Sequence, residues 1–370
     1  MKRTLIALGV AATVALPAAA QAAPKVYGKL NLALEQYEQD TSGVTAFDNF
    51  SLSSYASRFG VKGEDELTAS LSAVYGIEWE VSGDGSSGTD MGQRNRYVGI
   101  KHVDFGTLKL GRLDTNLKNA QGKVDLFNDT RADISGYSGV AGQDAGGIIA
   151  GETRSNNVIA YESPSFAGGV SINVQLIPGE ASGVDGATPA VTAANSYNGI
   201  ADGISASVVY DNTDLGLYLA LARDQEVAGN NVMLGTGATG AANTGRRDTT
   251  RLVAAYKIAD LSLGALYQIS EGVNDAAIGV VPAGTAEEET AWLLSVAYKL
   301  SDVTLKAQYI SGENDATVAT ERTRYALGAD YNFTSKTKAY GYYTSYENDT
   351  GAAVAAIESS ALAFGLEHSF

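Results

Sequence analysis

The sequence predicts an all-β chain: a transmembrane β-barrel of sixteen antiparallel strands with its third loop folded inward. Three observations predict this fold. Apolar residues recur with a period of two, strand candidates are joined alternately by very short turns and by long polar loops, and aromatic residues stand at the ends of the apolar stripes. Short turns on one side of the sheet and long loops on the other are the plan of a membrane barrel.

The period of two is clearest in the C-terminal half of the chain. Leu215, Leu217, Leu219 and Leu221, for example, alternate with small or amphipathic residues. Such a spacing places the leucines on one face of a strand and the other residues on the opposite face. In a soluble sandwich the apolar face meets a second sheet, whereas in a barrel it meets lipid. The alternation alone therefore leaves both folds open.

The connections and the aromatic residues favour the barrel. Seven very short turns, such as Val103 to Gly106 and Ala259-Asp260, join strand candidates in pairs and are rich in Asp, Asn, Ser or Gly. Long polar loops separate the pairs, at 38–50, 82–92, 114–150, 179–201, 225–245, 272–287, 313–320 and 347–356. Aromatic residues at strand ends fit the two interfacial girdles of a membrane barrel; they are Tyr210, Tyr256, Trp292, Tyr298, Tyr331 and Tyr343.

Sixteen strands account for the whole chain after its N-terminal leader. An even number of strands puts both termini on the side of the short turns, and a barrel of this size leaves an aqueous channel. The sequence indicates no linker and no second domain. The predicted strands are 25–37, 53–62, 67–81, 93–102, 107–113, 154–162, 168–177, 203–211, 215–224, 246–257, 261–271, 288–299, 303–312, 322–332, 336–346 and 358–370.

The first 22 residues have the pattern of a secretory signal peptide. Lys2 and Arg3 form a basic start, an apolar stretch follows, and Ala20-Gln21-Ala22 is an A-x-A cleavage site. We expect residues 1–22 to be removed and residues 23–370 to form the barrel; an N-terminal membrane anchor is the alternative. No apolar run of about 18 residues follows residue 22, so no transmembrane helix is predicted.

Composition argues against several classes of function. The chain has no cysteine, which disfavours a small disulfide-stapled secreted domain. Its net charge of −16 becomes −18 once Lys2 and Arg3 are removed, and a nucleic-acid partner demands clustered bases instead. The two histidines, His102 and His368, accompany no nucleophile motif, so no enzyme is predicted. The acidic loops lack EF-hand spacing, and neither a metal nor a cofactor is predicted.

Four motifs, in their order along the chain, resemble those of the Gram-negative general porins, the trimeric sixteen-stranded channels of the outer membrane. They are SRFGVKG at Ser57–Gly63, YVGIK at Tyr97–Lys101, FGTLKLGR at Phe105–Arg112 and the final strand ALAFGLEHSF at Ala361–Phe370. The resemblance covers nearly the whole chain. It implies a Gram-negative outer-membrane protein that forms a water-filled channel for passive diffusion of ions and small hydrophilic solutes.

The resemblance also implies partners and a constriction. A homotrimer in outer-membrane lipid and lipopolysaccharide is expected, with Phe370 as the signal for the barrel-assembly machinery. In the family, acidic residues of the third loop, here 114–150, face a wall of arginines. The implied wall residues are Arg58, Arg94, Arg96 and Arg154. The acidic partners chosen are Asp125, Asp129 and Asp133, which would share one face of a helical turn.

Several alternatives remain open from the sequence. The Pro-Glu-Phe-Gly motif of enterobacterial members is absent, and Val124–Asp129 stands in its place. The charges in segment 114–150, five acids and three bases, could also be a solvated surface, and the sign of ion selectivity stays open. A substrate-specific channel would need a line of aromatic or lysine side chains in the lumen. A secreted β-sandwich or adhesin is the third hypothesis.

Overall fold

A computed structural model describes residues 23–86, 91–136, 147–179, 199–228, 246–272, 288–315, 319–349 and 356–370. The expected signal peptide, residues 1–22, lies outside the described residues. So do parts of most of the predicted long loops, including residues 137–146 of segment 114–150.

The described chain consists of β-strands and one short helix. Seventeen strand segments form a single sheet, and every pair of neighbours in it is antiparallel. The elements are β1 Lys25–Thr41, β2 Val44–Ser54, β3 Arg58–Thr68, β4 Leu71–Glu80, β5 Gly92–His102, β6 Gly106–Asp114, α1 Asn116–Ala120, β7 Arg154–Glu162, β8 Val170–Ile177, β9 Gly203–Asn212, β10 Leu217–Ala228, β11 Arg246–Ile258, β12 Leu261–Gly272, β13 Glu288–Leu300, β14 Val303–Asn314, β15 Glu321–Asn332, β16 Thr337–Asp349 and β17 Ile357–Ser369.

The sheet closes on itself through its first and last strands. β1 pairs with β17 from Lys29 opposite Ser369 to Thr41 opposite Ile357. β2 and β3, separated by residues 55–57, both pair with β1 and together fill one position in the barrel. The seventeen segments therefore make sixteen barrel strands, which confirms the predicted sixteen-stranded antiparallel barrel.

Alternate residues of each strand face opposite sides of the barrel wall. On β13, Trp292, Leu294 and Tyr298 are exposed, while Leu293 and Ser295 between them are buried. The exposed face carries the predicted aromatic residues; Trp292, for example, lies 5.1 Å from Tyr309 on the neighbouring strand, measured between ring centroids. Because large apolar side chains on the outside suit only a lipid solvent, this pattern is that of a membrane barrel.

The first hairpin differs from the sequence expectation. The sequence predicts a loop at residues 38–50, but β1 continues to Thr41 and β2 begins at Val44, so that Ser42 and Gly43 alone make the turn with positive φ angles. The segment carries polar residues on both faces, which removes the alternation that identifies strands elsewhere. Backbone pairing keeps it extended, since β1 pairs with β17 on one side and with β2 on the other.

Segment 115–136 leaves the wall after β6 and begins with the short helix α1. Thr115 caps this helix, because its hydroxyl oxygen accepts a hydrogen bond from the backbone N–H of Lys118 at 3.2 Å. The rest of the segment consists of turns. In the part of the chain that the structure describes, no helix is long and apolar enough to cross a membrane.

Candidate functional site

Segment 115–136 and the returning residues 147–153 contact the polar face of the barrel wall. The wall residues Arg251, Lys306, Arg322 and Arg324 are long cations that reach the segment, and each donates to carbonyl oxygens there. Arg251 donates to Leu117 and Ala150, Lys306 to Leu126, Arg322 to Gly147 and Arg324 to Asp133, at 2.6–3.2 Å. These bonds supply partners for backbone groups that turns leave unpaired.

Asp129 is the one of the three chosen aspartates that meets cations of the wall. Its Oδ2 lies 2.7 Å from Lys29 Nζ and 2.8 Å from Arg58 Nη2. Burial by itself raises the pKa of Asp129, but the charges of Lys29 and Arg58 outweigh it and hold that pKa below its usual range. The carboxylate is therefore ionised at neutral pH and faces two positive charges.

A line of alternating charges continues from this pair along the wall. Lys29 Nζ lies 3.0 Å from Glu367 Oε2, and Lys338 Nζ bridges Glu367 at 3.8 Å and Asp330 at 3.5 Å. Lys306 then contacts Asp330 at 2.9 Å. The network thus runs from β1 across β17, β16 and β15 to β14. No sequence motif indicates its lysines as partners of the segment.

Asp125 holds the segment together internally. Its carboxylate accepts from Gln308 Nε2 at 2.8 Å and from the backbone N–H groups of Phe127 and Ile134 at 3.2 and 3.3 Å. Burial, together with the neighbouring Asp133, raises the pKa of Asp125 to about 8. The group is therefore mostly protonated at pH 7.

Asp133 has a similar internal role. It accepts from the backbone N–H of Asp129 at 2.9 Å, from Asn128 Nδ2 at 3.1 Å and from the backbone N–H and hydroxyl of Ser135 at 2.8 and 2.7 Å. Asp129 has a left-handed φ of 58°, and residues 125–133 form turns, not a helix. The three aspartates consequently do not share one face.

A β-bulge separates the two arginines of β5. Between Ile77 and Trp79 the register with β5 shifts, and Arg94 reaches the polar face, where its Nε lies 2.5 Å from Glu78 Oε1. Arg96 pairs directly with Ile77, whose side chain is exposed on the outer face, and its guanidinium lies 5.7 Å from the ring centroid of Trp79. The structure therefore brings Arg94, but not Arg96, to the side of Arg58.

Arg154 lies at the base of the segment. Its Nη2 is 3.0 Å from Asp114 Oδ1, and its Nε donates to Asn95 at 2.7 Å. Lys118 contacts the same Asp114 carboxylate at 3.3 Å. Arg154 thus ties together the points at which the chain leaves and rejoins the wall, away from the three chosen aspartates.

A buried ion pair that the sequence did not indicate fixes the middle of the segment. Arg131 Nη2 lies 3.0 Å from Glu35 Oε2, with 4% and 0% of the two side chains exposed. Glu35 also accepts from the hydroxyls of Tyr342, at 2.9 Å, and Tyr55, and the Arg131 guanidinium stacks 4.2 Å from the ring centroid of Tyr37. Glu35 is one polar residue in an alternating strand, and no local signal marks its partner 96 residues away.

The chemistry of this site is electrostatic. Among the described residues, no group of three or more His, Cys, Asp or Glu side chains is arranged to hold a metal ion. The side chains brought together are charged groups paired across the polar face of the wall. Opposed charges of this kind act on ions and dipolar solutes that pass between them.

The sequence matches the family model of the Gram-negative porins over residues 7–351. It is 29% identical to the major outer membrane protein P.IB of Neisseria lactamica over 382 aligned positions, which cover 100% of each chain. The anion-selective porin from Comamonas acidovorans has a similar structure, with a TM-score of 0.68, 20% identity, and coverage of 94% of this chain and 99% of that chain. OmpT of Vibrio cholerae, in a trimer form, superposes with a TM-score of 0.61 and 17% identity over 94% of this chain and 99% of the other.

The family match spans most of the chain, and the closed barrel with its apolar outer face agrees with it. The relatives and the fold are those of channel proteins of the outer membrane. The chain belongs to the Gram-negative porin family, as an outer-membrane porin and not an enzyme.

Proposed function

We propose that segment 114–150 narrows the lumen of this general diffusion porin, and that the groups which passing solutes meet there are Asp129, Lys29, Arg58 and Arg94. The contact of Asp129 with Lys29 and Arg58 carries the proposal. It joins an acid of the segment to bases of the wall, and all three side chains keep 12–23% of their surface exposed. They can therefore interact with a solute.

The proposed selectivity rests on the balance of these charges. Asp129 counters two cations, and Arg94 is countered by Glu78 at 2.5 Å and Glu80 at 3.4 Å. A narrow passage between fixed charges of opposite sign orients dipolar solutes and sets ion preference. Asp125 and Asp133 shape the segment in this proposal, Arg154 anchors it, and Arg96 has no part in the passage.

The proposal extends to assembly and partners. The trimer form of the similar Vibrio cholerae protein supports a homotrimer for this chain. Export through the signal peptide 1–22, contact with lipopolysaccharide, and recognition of Phe370 by the barrel-assembly machinery follow from the family. Phe370 ends the closing strand, where its backbone N–H donates to the carbonyl of Gly28 at 3.1 Å and its side chain is 46% exposed.

Reversal potentials across a salt gradient in a planar bilayer test the constriction. Asp129→Asn removes one negative charge beside Lys29 and Arg58, so chloride permeability relative to potassium should rise about two- to fivefold, the range of one partly screened charge contact. Asp125→Asn is the matched control. Its carboxyl is already protonated at pH 6, so the selectivity should not change.

The recordings test the position of Asp129 and the existence of the channel separately. An unchanged reversal potential in Asp129→Asn, or a shift toward cations, would show that Asp129 does not face the passage. Absence of stepwise conductance from correctly inserted wild-type protein would contradict the channel itself.

A further inference from the structure

A recess of about 420 Å³ lies between segment 115–136 and the inner side of strands β9 to β13. Lys123 and Leu126 of the segment line one side of it, and Tyr218, Ala255, Gly264 and Ala297 of the wall line the other. Small side chains on the wall leave the space open. Asp211 and the turn that follows it also border the recess, which places it toward the short-turn end of the lumen.

Two lysines line the recess, Lys123 and Lys257, and they differ in their ion pairing. Lys123 Nζ lies 3.2 and 3.3 Å from the two carboxylate oxygens of Asp211 and 5.8 Å from the ring centroid of Tyr218. The Lys257 ammonium forms no ion pair with any residue that the structure describes. The charged residues that line the recess are thus two lysines and one aspartate, so its lining carries a net positive charge.

The contact between Lys123 and Asp211 is open to exchange. The two side chains are 63% and 41% exposed, and an ion pair in water contributes little because solvent screens it. An incoming carboxylate can therefore take the place of Asp211 on Lys123. The uncompensated charge of Lys257 favours the same ligand.

The remaining residues that line the recess favour a ligand with an apolar body. Leu126, Ala255, Ala297 and the ring of Tyr218 offer apolar surface beside the ammonium groups. The Tyr218 hydroxyl is already engaged, since it donates to the carbonyl of Ala120 at 3.0 Å. A ligand that gains from both parts of the recess has one anionic end and an apolar body.

We propose that this recess is a binding subsite for small organic anions with an apolar body, with the anionic end on Lys257 and Lys123 and the body against Leu126 and Tyr218. The inference rests on the proposed diffusion channel, because such solutes reach the recess through the lumen. The recess would give the channel a weak affinity for one class of solute, at a place separate from Asp129.

Benzoate is a suitable probe in single-channel recordings. Added on the short-turn side, it should cause brief interruptions of the wild-type current, whereas the uncharged benzamide and inorganic phosphate should cause far fewer, since each lacks one of the two features. Lys257→Gln should weaken the apparent affinity for benzoate about two- to fivefold. Asp211→Asn should strengthen it by a similar factor, because it frees Lys123.

Lys62→Gln is the matched control. Lys62 lies on β3, away from the recess, with its ammonium 4.7 Å from the ring centroid of Tyr27, and its replacement removes the same charge from the wall. Equal block in Lys257→Gln and wild type, equal weakening by Lys62→Gln, or equal block by benzamide would overturn the subsite. In each of those cases the open channel would still conduct. If the channel proposal itself were wrong, neither the wild type nor any variant would conduct.

Discussion

The buried pair of Glu35 and Arg131 offers a sharp test of how the segment is held. The change is Glu35→Gln, which keeps the size of the side chain and an oxygen that accepts from Tyr55 and Tyr342 but removes the charge opposite Arg131. The guanidinium would then remain in a site where 4% of its side chain is exposed. Breaking a buried ion pair in this way costs about 3–5 kcal/mol.

This loss should appear in the segment and not in the barrel. Arg251, Arg324 and Lys306 still bind its other carbonyls, and the sheet hydrogen bonds do not involve Glu35 side-chain atoms. Backbone amides of residues 129–133 should exchange with solvent about two to three and a half powers of ten faster, given tenfold for each 1.4 kcal/mol. Heat-induced unfolding of the barrel should change much less.

Hydrogen-exchange mass spectrometry of the detergent-purified protein measures this effect. Glu162→Gln is the control, because it breaks an ion pair that is open to solvent. Glu162 lies 2.7 Å from Lys109, and 41% of the Glu162 side chain is exposed. In the double variant Glu35→Gln/Arg131→Met no unpaired charge is buried, so most of the protection should return. Unchanged protection in Glu35→Gln, or no recovery in the double variant, would refute the assigned role.

Two further predictions concern the same segment. The pKa of Asp125 is raised to about 8, above its value in an unfolded chain, so its contribution to the stability of the folded segment is fully present below about pH 4 and is lost as the pH rises to about 8. Exchange of segment amides, corrected for the intrinsic rate, should therefore increase between pH 5 and pH 8, and Asp125→Asn should flatten that increase; an identical pH dependence in the variant would contradict the assignment. Gly264→Ala places a Cβ in steric conflict with Ser295 Oγ and 3.1 Å from Val124 Cα, so it should displace the segment and destabilise it by about 1–3 kcal/mol. Proteolysis of the segment in detergent would detect this, and resistance equal to that of the wild type would show that residue 124 does not approach the wall so closely.

The sequence was sufficient to predict the barrel, because the polarity of alternate residues in each strand matches the lipid on one face and the polar interior on the other. Trp292, Leu294 and Tyr298 face lipid whatever their neighbours are, so a period of two identifies β13 without any knowledge of β12 or β14. Alternation did not identify the strands at residues 38–50, where polar residues lie on both faces and the backbone pairing of β1 with β17 and β2 maintains them.

The candidate site was only partly predictable, because bulges and turns interrupt the odd–even alternation that assigns each side chain to a face. Arg94 and Arg96 have the same parity in the sequence, yet the bulge opposite Ile77 and Trp79 sends them to opposite faces. Likewise, the four-residue spacing of the loop aspartates suggested a common face, and the left-handed conformation of Asp129 prevents it. A single residue has only a weak propensity for a bulge or a left-handed conformation. The tertiary contacts therefore decide where such conformations form.

The sequence by itself thus determined the alternation of the sixteen strands, the resemblance to outer-membrane porins and the charges of the long loop 114–150. Only the tertiary structure decided which charges meet. Asp129 reaches Lys29 across 100 residues of chain, and Arg131 reaches Glu35 across 96. The physical reason is that alternation is a local response to lipid and water, whereas an ion pair depends on where the closed barrel brings distant side chains together.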